Sequence, residues 1–225
     1  MFSPLCTSSE YVAVKNLTHK LYILGYPDKL FKPERQVTRA EVATILYRIM
    51  SLQKNPSINI RYNDVDPNFW AANYIEAVGQ IDLFKGYGDK TFCPDNIITR
   101  AELSAVISRY LHLKNVKPME IHFSDITDSW AVGEIEEIYR HKIITGYKDG
   151  TFKPKNGMKR SEMVTMINRL LFRGPLTNVD PSFPDVQKTH WAYGQVEEAT
   201  KTHEYVRNND GSEAMTKYIP DNVWE

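Results

Sequence analysis

The chain has 225 residues, 42% apolar, 12% aromatic and 25% charged, with 28 basic residues balancing 28 acidic ones. That length buries a sizeable core as one large domain or two small ones, and zero net charge argues against a phosphate-tracking nucleic-acid surface. Ordinary apolar content excludes extended disorder, and no apolar stretch approaches the roughly 20 residues that cross a bilayer.

The first residues, Met1 to Cys6, carry neither a basic region nor an apolar run. They do not form a secretory leader as they stand; the protein is then cytoplasmic, or a mature fragment whose leader has been removed. Cys6 and Cys93 cannot by themselves supply a disulfide framework or a zinc site.

From there the chain repeats itself. Gly25-Tyr26-Pro27-Asp28 with Phe31 and Pro33 returns as Gly86-Tyr87-Gly88-Asp89 with Phe92 and Pro94. It returns again as Gly146-Tyr147-Lys148-Asp149 with Phe152 and Pro154. A second block keeps the same phase: Thr38-Arg39-Ala40-Glu41, Thr99-Arg100-Ala101-Glu102, Lys159-Arg160-Ser161-Glu162. A third runs Asp64-Val65 to Trp70-Ala71, Asp125-Ile126 to Trp130-Ala131, and Asp185-Val186 to Trp191-Ala192. Repeats are therefore expected over 9–57, 58–118 and 119–176, followed by a half-repeat or cap over 177–225 within a single repeat domain.

Each unit reads as helix, loop, helix. In the front helix of the second unit Trp70, Ala71, Tyr74, Ile75 and Val78 share a face. Gly25, Gly86 and Gly146 suit the left-handed conformation that ends a helix. The back helices carry apolar stripes, as at Val42, Ile45, Leu46 and Ile49, which stacking of the units would hide. In the first unit Ser9 takes the Trp position and the Asp-Val entry is missing. The tail has an entry but no following blocks, so it is expected to pack on the third unit or to close the array against the first. Asn208 to Gly211 reads as an exposed turn.

Thr38 and Thr99, each three residues before a glutamate, form capping boxes. Lys159 breaks the third, a loss of about 1 kcal/mol. Arg39, Arg100 and Arg160 stand at first helical positions, which the macrodipole makes mildly unfavourable for a cation. Either they join open helix amides to hold a carboxylate or phosphate, or they pair with a neighbouring acid. Asp28, Asp89 and Asp149 read first as turn formers. Tyr26, Tyr87 and Tyr147 suit stacking on a sugar or filling gaps between units. Trp70, Trp130 and Trp191, beside apolar partners, favour core packing. No catalytic constellation emerges. Glu136-Glu137 and Glu197-Glu198 read as solvated helix faces, and the six histidines lack the spacing of a metal motif.

The three blocks in this order resemble the S-layer homology domain, from about Glu10 to about His203. The resemblance implies a mostly α, pseudo-threefold, three-lobed trimer of repeats with grooves between them. It further implies non-covalent attachment to a secondary cell-wall polymer, commonly pyruvylated, on the surface of Gram-positive bacteria. The chain would then be extracellular, non-catalytic and free of cofactors, with no nucleic-acid or membrane-spanning partner. The motif arginines Arg39, Arg100 and Arg160 would recognise the polymer. Groove contacts would come from Gly25, Gly86 and Gly146, Tyr26, Tyr87 and Tyr147, Asp28, Asp89 and Asp149, with Trp70, Trp130 and Trp191 as further candidates. The rival expectation is a helical-repeat scaffold that binds protein and no glycan.

Overall fold

A computed structural model describes residues 17–52, 61–113, 118 and 120–220; Met1 to Cys6 and Ser9 lie outside them. Among the described residues there are six helices and one three-stranded sheet. The back helices are α1 (Arg39–Ile49), α3 (Arg100–Tyr110) and α5 (Arg160–Leu170); the front helices are α2 (Ala72–Gln80), α4 (Val132–Arg140) and α6 (Tyr193–Ala199). Short strands lie at the two ends: β1 (Leu17–His19), β2 (His203–Arg207) and β3 (Glu213–Tyr218).

Each back helix packs on the front helix that follows it in sequence, α1 on α2, α3 on α4 and α5 on α6. The apolar stripes meet there: Leu46, Ile75 and Val78, Ile107, Ile135 and Ile138, and Ile167 and Val196 are all buried in one continuous core. Neither helix of a pair could hide its stripe alone.

The front helices start later than their sequence pattern implied. Ala71, Ala131 and Ala192 occupy the N-cap positions and are fully buried. The preceding tryptophan is therefore outside the helix and off its buried stripe. Trp70, Trp130 and Trp191 are 57%, 63% and 61% exposed, which overturns their assignment to the core.

The repeated glycines also serve a different purpose. Gly86 and Gly146 lie several residues beyond α2 and α4, Gly25 follows β1, and none of the three is among the positive-φ glycines. A Cβ there would meet an aromatic ring: Phe183 at 2.3 Å, Tyr62 at 2.3 Å and Phe123 at 2.2 Å. Glycine is needed so that the ring can lie against backbone. Gly86→Ala should accordingly destabilise the fold by about 2–3 kcal/mol through overpacking, read as a lower urea midpoint with an unchanged slope.

The ring in question is held from behind. Glu76, Glu136 and Glu197, each six residues after the tryptophan, are buried. Each accepts the backbone N–H of the residue before the aromatic: Arg61 at 3.2 Å, His122 at 2.8 Å and Ser182 at 2.8 Å. Three of the four paired acids are thus not on a solvated face: Glu136, Glu197 and Glu198 are fully buried because backbone amides and side-chain partners replace water, while Glu137 keeps the expected surface position, paired with Arg140. The entry aspartates act similarly. Asp64 accepts from the amides of Phe92 and Cys93, and Asp125 from those of Phe152 and Lys153, all at 2.7–2.8 Å. The second residue of each pair has positive φ, so the carboxylate offsets the cost of a strained turn.

The same device joins the ends of the chain. Asp185 of the tail accepts from the amides of Phe31 and Lys32 in the first unit, at 3.0 and 2.7 Å. Tyr22 and Ile23 donate to Ala199 O at 3.1 and 3.4 Å, as Leu83 and Phe84 donate to Val78 O. The tail therefore supplies the entry segment and front helix for the loop of the first unit, from more than 150 residues away.

Backbone bonds also link the three units in a cycle. Val37 donates to Met158, Met158 to Ile98, and Ile98 to Val37, at 2.9–3.0 Å, and all three side chains are fully buried. The sheet that closes the ends was not foreseen. It runs β1-β2-β3, entirely antiparallel, with Leu17 opposite Tyr205 and His19 opposite His203. The Asn208–Gly211 turn connects β2 to β3, Asn208 donating to Ser212 O. Only His203 and Tyr205 of β2 are buried, a short period-two pattern inside a tail that otherwise reads as half a repeat.

Candidate functional site

Arg39, Arg100 and Arg160 open α1, α3 and α5 and are only 2–4% exposed. The helix amides beside them are taken. Arg39 N–H donates to Asn96 O and Ala40 N–H to Pro94 O; Arg100 and Ala101 donate to Asn156 and Pro154, and Arg160 and Ser161 to Arg35 and Pro33. The third amide of the first two helices goes to the Thr38 or Thr99 hydroxyl. The expected open helix terminus for an anion is thus occupied by the next unit's turn.

The guanidinium groups are tightly engaged too. Each Nε donates to a carbonyl of the repeated phenylalanine: Phe92 for Arg39, Phe152 for Arg100, Phe31 for Arg160, at 2.7–2.9 Å. Arg39 pairs with Glu102 at 2.9 Å and Arg100 with Glu162 at 3.4 Å. The Arg39 guanidinium lies 4.6–4.8 Å from the centres of Phe84, Tyr87 and Phe92. These contacts fit the pairing reading of the sequence, with the acid drawn from the following unit.

The tyrosines complete the arrangement. Tyr87 OH donates to Glu102 at 2.7 Å and Tyr147 OH to Glu162 at 2.8 Å. Burial and the bond to Glu102 push the Tyr87 hydroxyl up to about 12. Burial alone would raise the Glu102 carboxyl, but bonds from Thr99 and Tyr87 and the charge of Arg39 outweigh it, leaving it below its ordinary range. In the first unit the pattern changes. Glu41 is gripped by Arg35 at 2.7 and 3.0 Å, and the buried Tyr26 hydroxyl has no hydrogen-bond partner among the described residues. Asp28, Asp89 and Asp149 accept from amides two residues on, at 3.0–3.1 Å; they are the turn formers their sequence implied.

Two cavities adjoin these groups. The larger, about 950 Å³, draws its walls from all three units: Arg39, the Lys85–Gly88 loop, Thr99, Glu102 and Arg109, then Asp128, Trp130 and Lys155. The second, about 350 Å³, is its counterpart one unit on, with Arg100, Gly146, Tyr147, Lys159, Glu162, Arg169 and Trp191. Lys159 and Arg160 are neighbours in sequence, yet only Lys159 lines the second cavity; Arg160 sits over Tyr26 and Phe31 instead. Lys159 has no acceptor for the Glu162 amide, and its ammonium pairs with Glu34, which also lines the cavity. The Arg39 cavity carries four cationic side chains against three carboxylates, so its walls are net positive.

Arg48, Arg109 and Arg169 were not singled out in the sequence. They recur nine residues after the motif arginines, at the same steps of 61 and 60 that separate the Gly-Tyr and Arg blocks, and that periodicity was the available signal. Arg109 and Arg169 line the cavities and are half-buried rather than buried; among the described residues each donates one long bond to a backbone carbonyl, at 3.4 Å. They offer a ligand more of the guanidinium than Arg39 or Arg100 do.

A family model described as the S-layer homology domain matches residues 7–43, 61–104 and 122–164. The chain belongs to the S-layer homology domain family. Among curated relatives, cell surface glycoprotein 1 of Acetivibrio thermocellus is 39% identical over 217 residues, covering 90% of this chain and 9% of the relative. A cellulosome-anchoring protein of the same organism is 37% identical over 208 residues, 89% of this chain and 46% of the relative. The S-layer protein EA1 of Bacillus anthracis is 27% identical over 157 residues, 69% and 18% respectively. This S-layer homology chain spans less than half the length of each. Among its described residues no helix is long and apolar enough to cross a membrane.

Proposed function

We propose that the chain is a non-catalytic cell-surface anchoring module. It binds an anionic, pyruvylated secondary cell-wall polymer non-covalently, in grooves between repeats of a pseudo-threefold, three-lobed domain. The cycle of backbone bonds through Val37, Met158 and Ile98 supports the threefold arrangement. The names of the relatives, an anchoring protein and an S-layer protein, support the surface role.

One observation carries the ligand reading: a net-positive cavity with an exposed tryptophan at its rim. An indole offers a sugar ring a flat apolar face, while Arg109 and the edge of Arg39 meet a carboxylate such as that of a pyruvate ketal. Two such cavities on one domain would gain avidity along a polymer. Calorimetric titration with a ketal-bearing wall fragment should give saturable binding, and the same fragment stripped of its ketal should bind at least about tenfold more weakly. Folded protein that gives no heat with several wall polymers would reject the glycan reading and favour a protein-binding scaffold.

A further inference from the structure

The junction of the chain ends holds a second concentration of chemistry. His19 of β1, Glu198 near the end of α6, His203 of β2 and Glu213 of β3 converge, one donor atom from each lying within 4.8 Å of the others. Glu198, His203 and Glu213 are fully buried, while the His19 side chain keeps 12% of its surface in solvent. No histidine motif in the sequence announces this group, because its members come from separate elements and one lies about 180 residues from the rest.

The tautomer of His203 is fixed by its surroundings. Its Nδ1 lies 3.0 Å from the Lys201 carbonyl, which can only accept, so the neutral ring carries its proton on Nδ1 and turns the Nε2 lone pair into the cluster. That nitrogen stands 3.0 Å from Glu198 Oε2. Among the described residues neither buried atom makes a hydrogen bond of acceptable geometry, and nor does Glu213 Oε2. His19 Nδ1 faces both carboxylates, 2.7 Å from Glu198 and 3.3 Å from Glu213. Lone pairs and carboxylate oxygens crowded together away from water repel one another unless a cation sits among them.

We propose that His19, Glu198, His203 and Glu213 bind one divalent transition-metal ion of the zinc type. Two imidazoles and two carboxylates match the donors and the charge such an ion takes in four-coordinate sites. Ligands at the usual metal distances are separated by about 3.4 Å, so side-chain shifts of about 1 Å complete the shell. The outer edge of the site is already braced: Gly174 N–H donates to Glu213 Oε1 at 3.0 Å, Arg207 pairs with the same oxygen, and Arg173 lies 3.6 Å from Glu198 Oε1. The partly open His19 is the way in. A metal here ties the first strand to the last hairpin and so fastens the closure of the repeat array.

Tag-free protein stripped with EDTA should take up one zinc ion per chain in a calorimetric titration. At a hundred times the Kd its Tm should rise by about 5–10 °C. His203→Asn should lose both effects, and His141→Asn, an exposed position, should keep them. Should the His203 variant fail to fold, cobalt added to the wild type supplies the second reading, a visible absorption band of four-coordinate N/O ligation. No stoichiometric zinc uptake and no Tm shift in the wild type would overturn the proposal and leave a proton as the cation. Unaltered zinc uptake by folded His203→Asn would overturn it as well.

Discussion

Deletion of residues 177–225 should leave a chain with no cooperative thermal transition. The tail contributes Val186, Ala192, Val196 and Ala199, all fully buried, and the larger ones stabilise the fold by about 1.5–3 kcal/mol apiece. Asp185 adds two charge-assisted bonds to the amides of Phe31 and Lys32, each contributing about 1.5–3 kcal/mol. Glu197 and the paired strands are lost too. Together these match or exceed the roughly 5–15 kcal/mol by which a domain is stable at all. Asp185→Ala is the graded version: it strands the two amides and should cost about 3 kcal/mol, read by circular dichroism as a fall in Tm. A separate 177–225 peptide added to the truncated chain should restore some helical signal, because the tail completes a unit it is not covalently next to. An unchanged melting curve after truncation would show that these bonds contribute nothing.

How much of this was legible depended on whether a feature was periodic. The steps of 61 and 60 located the back helices, the capping boxes and the turn-forming Asp28, Asp89 and Asp149 directly, because local chemistry dictates all of them. The same periodicity misled at Trp70, Trp130 and Trp191. A helical face was extended two residues too early, and at an N-cap such a shift turns a side chain from core to solvent. Gly86 illustrates a different limit: its reason is Tyr62, 24 residues away, which no local rule supplies. The His19–Glu213 cluster and the end-closing sheet were invisible because both are non-periodic, each occurring once, and both depend on a contact spanning nearly the whole chain. The motif arginines fall between. Their repetition flagged them correctly as constrained, yet the constraint is the next unit's carbonyls and glutamate, which a reading of single helices cannot include.

Trp130→Ala should weaken polymer binding in the Arg39 cavity by about 30-fold while leaving the Tm nearly unchanged. The two halves of that expectation have separate causes. With 63% of its surface exposed, Trp130 contributes little to the core, and surface substitutions usually change stability by less than about 0.5 kcal/mol. At a binding rim the same side chain belongs to the class whose truncation commonly costs about 2 kcal/mol or more. The arginines give no such clean separation: Arg39→Ala would leave Glu102 with Tyr87 and Thr99 but no cation, and would empty the buried space over Phe84, Tyr87 and Phe92, at a cost of about 2–3 kcal/mol of stability whatever happens to binding. Trp191→Ala should have a smaller effect, because its cavity is only about 350 Å³ and Lys159, one of its cations, is already paired with Glu34. Trp70→Ala should have the least, since Arg35 has drawn Glu41 away from Tyr26 and broken the Tyr–Glu–Arg chain that shapes the other two. The double variant Trp130→Ala/Trp191→Ala should lose at least about 100-fold in wall-polymer sedimentation, more than either single change, as expected when two grooves share one polymer. Equal losses from all three single variants would mean that the unit carrying Arg35 binds as well as the others. No loss from the double variant would remove the tryptophan-lined cavities from polymer binding altogether.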